Sequence, residues 1–347
     1  MILFLILIFA GMINPVLAQS SDSSLKSTAV TIPGGEGGIG FDDLVYSSQL
    51  HKVLVPAGHT GKLYLIDPSS FTITSIGGFS SSAVFVKGHD VGTTSADEGE
   101  GFIFAADHGR HELDVVDPKS GAIVATAGLA GDADYVRYVE YQWPLDQKKY
   151  YANREVWVTE PHDKQIEVFK FSEEDHPLLK ALLLISVPAG PESLMIDHFR
   201  GRAYTNLGPK AAAINLDSHI IVSTWSNGCG KSRGDALDEQ KGFLFVSCAE
   251  GKVAVFDLNK GNKEISNLIT DPGADVISYN VKLSHLYLTS SKNATLSVIG
   301  VSAQGGLSLL AHVPANKRSH CVVGDDQNNI WVCDPLRGQL LRYKDTL

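Results

Sequence analysis

The sequence predicts an all-β fold, a seven-bladed β-propeller whose ring is closed by an N-terminal strand at about residues 27–33. Three observations carry this reading. A β-rich unit recurs seven times at intervals of roughly 40 to 50 residues, the period of a propeller blade. Six of the units contain four short strand-like runs each, and the seventh contains only three before the chain ends. An unassigned run, STAVTIP at 27–33, precedes the first unit and supplies the missing strand. One twisted four-stranded sheet cannot cover both of its faces, so it stacks on neighbours, and seven such sheets close a ring.

The elements follow in chain order. Residues 1–18, MILFLILIFAGMINPVLA, form an apolar run ending in small residues, with a cleavage site after Ala18. Asn14 and Pro15 break the run, which is short for a membrane span, so it reads as a signal peptide. A secreted or extracytoplasmic protein follows, with no span left after signal removal. Residues 19–347 then form a single propeller domain. Each unit opens with a run headed by an acid or a histidine: Asp42, Asp90, Asp134, Glu192, Asp235, Asp275 and His320. The second runs are KVLVPA, FIFAAD, EVWVTE, RAYTNL, FLFVSC, HLYLTS and NIWVCD. Third runs such as GKLYLID and HELDVVD follow after short polar loops. The fourth runs are FTITSIG, AIVATAG, LLLISVP, IIVSTWS, ISNLITD and LSLLAHV. The third unit is stretched by an insertion, YQWPLDQKKYYANR. Pairing of 27–33 with QLLRY at the end of the chain hides two otherwise free strand edges.

FIFAADHGRHELDVVDPKSGAIVATAGL, residues 102–129, and IWVCDPLRGQLLRY, residues 330–343, resemble the YVTN-type β-propeller repeat family. The resemblance spans Ser27 to Leu347. It implies the architecture more firmly than an activity, because members of that broad group serve as binding proteins, lactonases or lyases. No copy reads YVTN literally, and the fourth unit, RAYTNLGPKAAAINL, is degenerate.

Composition limits the function. The formal net charge is −10, which argues against a basic face for phosphates, so no nucleic-acid partner is expected. GGEGGIG at 34–40 fits a dinucleotide fingerprint by spacing, yet the strand-like FDDLVY follows instead of a helix. SNGCGKS at 226–232 has Trp225 where a phosphate loop begins with glycine, and GKSRG at 230–234 lacks a strand-to-helix elbow. All three read as turns.

First strands of propeller blades line the central channel, so their opening residues should ring one mouth. Crowded carboxylates repel unless they are hydrated, hydrogen-bonded, protonated or bound to a cation. Asp90, Asp134, Glu192, Asp235, Asp275 and His320 are therefore the candidate metal ligands, with Asp42 in the same ring. Oxygen donors suit Ca²⁺ or Mg²⁺, and participation of His320 suits Mn²⁺, Fe²⁺ or Zn²⁺. The competing reading is that these acids cap backbone N–H groups and organise turns. His89 precedes Asp90, while His59, His108, His111 and His162 lie in loops and read as solvated.

The four cysteines permit three pairings, and export makes disulfides stable. Cys229 lies near the end of the strand carrying Cys248, and Cys321 faces Cys333 across a hairpin; these pairings are expected. Asn293-Ala-Thr295 is a glycosylation sequon in a polar loop. Two functions follow. One is a secreted, monomeric binding protein holding a small molecule, a protein or a cation at the mouth. The other is a metal-assisted hydrolase or lyase, lactonase-like, using the same carboxylates and His320.

Overall fold

A computed structural model describes residues 25–85, 88–89, 91–142, 152–173 and 175–347. The proposed signal peptide, Asp90 and most of the insertion, including Trp143, Tyr150 and Tyr151, lie outside the described residues. Seven four-stranded antiparallel sheets are arranged as blades. Blade 1 comprises Val45–Ser47, Lys52–Pro56, Lys62–Ile66 and Ile73–Gly77, and blade 2 comprises Thr93–Gly99, Phe102–Asp107, Glu112–Asp117 and Ala122–Gly128. Blade 3 runs Val136–Gln142, Ala152–Glu160, Gln165–Ser172 and Leu178–Ser186. Blade 4 is Pro191–Asp197, Arg202–Leu207, Lys210–Asn215 and Ile221–Ser226, so the degenerate fourth unit still makes a complete sheet. Blade 5 holds Ser232–Asp238, Phe243–Cys248, Lys252–Asp257 and Lys263–Ile269. Blade 6 holds Ile277–Asn280, His285–Ser290, Thr295–Val301 and Leu307–Pro314.

Blade 7 settles the closure. Its inner strands are Val322–Gly324, Asn329–Asp334 and Gln339–Lys344, and its outer strand is Thr28–Thr31 from the other end of the chain. Thr28 pairs with Arg342, Ala29 with Leu341, Val30 with Leu340 and Thr31 with Gln339. Ile32, just beyond that strand, is fully buried in the largest core cluster.

The second and third strands of each blade are buried on both faces, which is why they read as nearly continuous apolar runs. Outer strands alternate, as in Ala122–Gly128, because one face meets solvent. Bulky rings fill the gaps between blades: Phe104 of blade 2 stacks on Tyr138 of blade 3, centroids 5.4 Å apart. Trp157 and Trp331 occupy the same place in blades 3 and 7, and both are fully buried. Each satisfies its indole N–H on a nearby carboxylate, Glu155 at 2.8 Å and Asp325 at 2.7 Å. Turns after third strands are tied by side chains: Asp67 Oδ1 accepts from the N–H groups of Ser69 and Ser70, and Asn215 Oδ1 from those of Asp217 and Ser218. Both expected disulfides form, Cys229 with Cys248 and Cys321 with Cys333. Two disulfides fit an oxidising compartment. Among the described residues, no helix is long and apolar enough to cross a membrane.

Candidate cation site at the channel mouth

The register of each first hairpin fixes which residues face the mouth. In blade 4, Asp197 pairs with Arg202, the first residue of the second strand, and Glu192 lies five residues before it. The same count from Ser47, Asn280 and Asp238 gives Asp42, Asp275 and Arg233. From Val139, paired with Glu155, it gives Asp134; from Gly99, paired with Phe102, it gives Thr94. Asp325, whose N–H donates to the Asn329 carbonyl, leads back to His320. The observed ring is therefore Asp42, Thr94, Asp134, Glu192, Arg233, Asp275 and His320.

Five of the seven ring residues expected from sequence stand at their expected positions. Two blades differ. The ring position of blade 2 is Thr94, whereas Asp90 lies outside the described residues. In blade 5 the position belongs to Arg233, and Asp235 sits two residues further along the strand. There Asp235 is buried, its Oδ1 accepting from Asn206 Nδ2 at 2.6 Å. Burial holds its carboxyl well above the ordinary range, against the opposing hydrogen bond from Asn206. It lines a separate cavity of about 520 Å³ that runs along the first strands towards their hairpin turns, together with Arg137, Met195 and Ser278. Tyr135 borders both that cavity and the mouth.

The mouth cavity, about 360 Å³, is lined by Asp42, Asp134, Glu192, Arg233 and Asp275, with His89, His108 and His162 at its margin. Arg233 Nη1 lies 2.6 Å from Glu192 Oε2, and its Nε 3.9 Å from Asp275 Oδ1. Burial works against the guanidinium charge, yet Asp275 and Glu192 outweigh it and hold the pKa above its usual value. Among the described residues, Asp134 pairs with no lysine or arginine. Burial, then the charges of Asp42, Glu192 and Asp275, push its carboxyl well above the ordinary range. Asp42 is raised too, mainly by burial, with Asp275 adding and His89 and His320 opposing.

Asp42 and His89, which line this mouth, converge with His320, and Asp275 borders both His89 and His320. One donor atom from each lies within 4.8 Å of the others. His89 Nδ1 is buried and has no hydrogen-bond partner among the described residues. The imidazoles of His89 and His320 meet edge to face, centroids 5.6 Å apart. His320 Nδ1 is 2.7 Å from the Arg318 carbonyl oxygen, and Nε2 is 2.8 Å from that of Phe41. A backbone carbonyl on one ring nitrogen is the usual support of a ligating histidine, since it fixes ring orientation. The other nitrogen must leave its carbonyl to take an ion. Cysteine-containing clusters at 321 and 333 and at 229 and 248 offer no thiolates, because all four cysteines are bonded in disulfides.

Sequence reasoning noted His89 only as the residue before Asp90 and missed Arg233 in the ring. Counting back from each hairpin turn, instead of searching for the nearest acid, would have found Arg233. Nothing local marks His89, which reaches the site from a loop. His108 and His162 border the cavity as loop residues, and His111 and His162 both lean on Asp132, at 3.3 and 3.4 Å.

No protein-family model matches the chain, and no curated protein matches it. Solved structures do. A chain in the crystal structure of the mitotic checkpoint complex is similar at 12% identity and TM-score 0.68, with 99% of each chain covered. The β-propeller domain of Cps50 (Swd1) from Myceliophteria thermophila is similar at 11% identity and TM-score 0.68, over 92% of this chain and 100% of that one. Likeness at such identity speaks for architecture alone; with the seven sheets above, it makes this chain a seven-bladed β-propeller.

Proposed function

We propose that this is an exported binding propeller that holds a divalent cation at the mouth of its channel, on Asp42, His89 and His320. The observation that supports it best is the convergence of these three side chains, with one His89 nitrogen, Nδ1, buried and unpartnered among the described residues. Two imidazoles and a carboxylate suit Mn²⁺, Fe²⁺ or Zn²⁺ better than Ca²⁺. Histidine nitrogen binds such ions at about 2.0–2.1 Å, so the three donors must draw inward and His320 must release one of its carbonyl partners. The carboxylates of Asp134 and Asp275 nearby add field strength that favours a cation. Export is supported by the leader-like first 18 residues and the two disulfides, and the repeat units at 102–129 and 330–343 support a YVTN-type ancestry. A rigid ring presenting loops around a charged mouth also suits a docked small molecule or protein.

The adjoining mouth cavity favours one second reading, a metal-assisted hydrolase or lyase. A bound ion would supply Lewis acidity. Asp134, without a lysine or arginine partner among the described residues and held towards its acid form, would exchange a proton with a ligand in that cavity.

Metal analysis of the mature protein after loading with Mn²⁺ or Zn²⁺ and exhaustive dialysis tests the binding reading. One ion per chain is expected, lost in Asp42→Asn and in His320→Gln. An ion-free wild type, or undiminished binding in both variants, would sink it.

A further inference from the structure

The blade 5 position of the ring departs from its neighbours in sign. Counting from the hairpin, Arg233 stands where blades 1, 3, 4 and 6 place Asp42, Asp134, Glu192 and Asp275. Its backbone is held on both sides. The Arg233 carbonyl accepts from Asn206 Nδ2 at 2.7 Å. The next N–H, that of Gly234, donates to the Asp275 carbonyl at 2.9 Å. A Cβ at Gly234 would stand 2.5 Å from that carbonyl oxygen, so only glycine lets the two blades approach this closely. The guanidinium is thus delivered to a fixed place, bonded to Glu192 and directed at Asp275. Its ion pairs end there. Among the described residues, Asp42 and Asp134 form no ion pair with a lysine or arginine.

Resting on the cation reading above, we infer that Arg233 is a built-in counter-ion and a specificity-determining residue. It fills the Glu192–Asp275 side of the mouth and confines an external cation to the side of Asp42, His89 and His320. The ring would otherwise present four carboxylates to solvent ions, enough oxygen donors for a second divalent site. Arginine suits this role because its charge is permanent and its planar fork fits carboxylates. A resident guanidinium makes the mouth a one-ion site and disfavours larger polycationic ligands that would span the ring.

The test is Mn²⁺ binding, by equilibrium dialysis, to the mature wild type and to Arg233→Gln, Arg233→Lys and the Glu192→Gln/Arg233→Gln double variant. Circular dichroism confirms the fold, and Arg233→Met, which keeps the stem's packing, replaces Arg233→Gln if that variant does not fold. The expected stoichiometry is one ion for wild type, two for Arg233→Gln, one for Arg233→Lys and one for the double variant. The first ion should also bind several-fold more tightly in Arg233→Gln at low salt, an effect that shrinks as salt rises. Wild-type stoichiometry and affinity in Arg233→Gln would overturn this inference while leaving the cation site standing. No ion in wild type but one in Arg233→Gln would remove the Asp42–His89–His320 site and support the role of Arg233. No ion in any variant would overturn both.

Discussion

Arg137 of blade 3 reaches past blade 2 to Asp43 of blade 1, donating through Nη1 to Oδ2 at 2.7 Å. Blade 2 joins the clasp through Ser95, whose hydroxyl donates to the same Asp43 oxygen at 2.8 Å and accepts from the Val136 N–H at 2.9 Å. Both charged side chains are shielded, at 12% and 3% exposure. Removing Asp43 leaves the Arg137 guanidinium shielded, with the Val136 carbonyl as its remaining hydrogen-bond acceptor. Asp43→Ala is expected to cost about 3–5 kcal/mol, the usual penalty for an orphaned buried charge. Asp43→Ala with Arg137→Met should cost less than Asp43→Ala alone. Urea melts of the two variants check this, and equal losses would count against the clasp.

Glu160 makes the stability pH-dependent. Glu160 is fully buried, accepts from the Gly131 N–H at 3.0 Å and from Gln165 Nε2 at 2.6 Å, and shares a side-chain hydrogen bond with Glu167. Burial raises its pKa to about 7, with Glu167 adding. Burial likewise raises Asp97 and Asp114 to about 6. Folding therefore favours the protonated acids. Their stabilisation is complete below the ordinary carboxyl range and fades as pH rises through 6 and then 7. Wild type should melt several degrees lower at pH 8 than at pH 5, and Glu160→Gln should flatten part of that slope. An unchanged slope in the variant would show that Glu160 does not carry it.

The two disulfides should act through the unfolded chain. Cys229 and Cys248 are 19 positions apart, and Cys321 and Cys333 are 12. Closing loops of this size removes unfolded-state entropy equivalent to about 3 kcal/mol each. The Cys229→Ala/Cys248→Ala protein is expected to lose about that much in denaturant melts. Dithiothreitol should lower the melting temperature of wild type and leave a four-alanine variant unmoved.

The N-terminal closure is the most exposed of the expectations to direct test. A chain beginning after Thr31 loses the outer strand of blade 7 and the half-buried Val30. A chain beginning after Ile32 also loses a fully buried side chain, worth about 1.5–3 kcal/mol by itself. The second truncation should melt below the first, and both below the full protein. Identical melts for all three would refute the closure.

Most of the architecture was legible because a blade is a local pattern. The second runs, from KVLVPA to NIWVCD, are short, apolar and bounded by turns, so each marks its own blade. The missing fourth strand was readable for a different reason: closure requires seven outer strands and the chain shows six before its end. The site was less legible because it depends on register. β-Bulges after Thr93, Glu192 and Ser232 shift the pairing within three first strands. A search for the nearest acid therefore settled on Asp235, which the strand buries against Asn206, and passed over Arg233. His89 was out of reach for sequence reasoning, because a loop's path to His320 leaves no periodic trace.

The pairing of Thr28–Thr31 with the last strand also constrains how the molecule is made. Of the described strands, Thr28–Thr31 is the first to leave a ribosome or translocon, and it has no partner until Gln339–Arg342 has followed it. Six blades can assemble in turn while the chain emerges, and the seventh must wait. Until then the leading segment stays a bare edge, so quality control and aggregation should act most strongly in the interval between release of the chain and its last pairing.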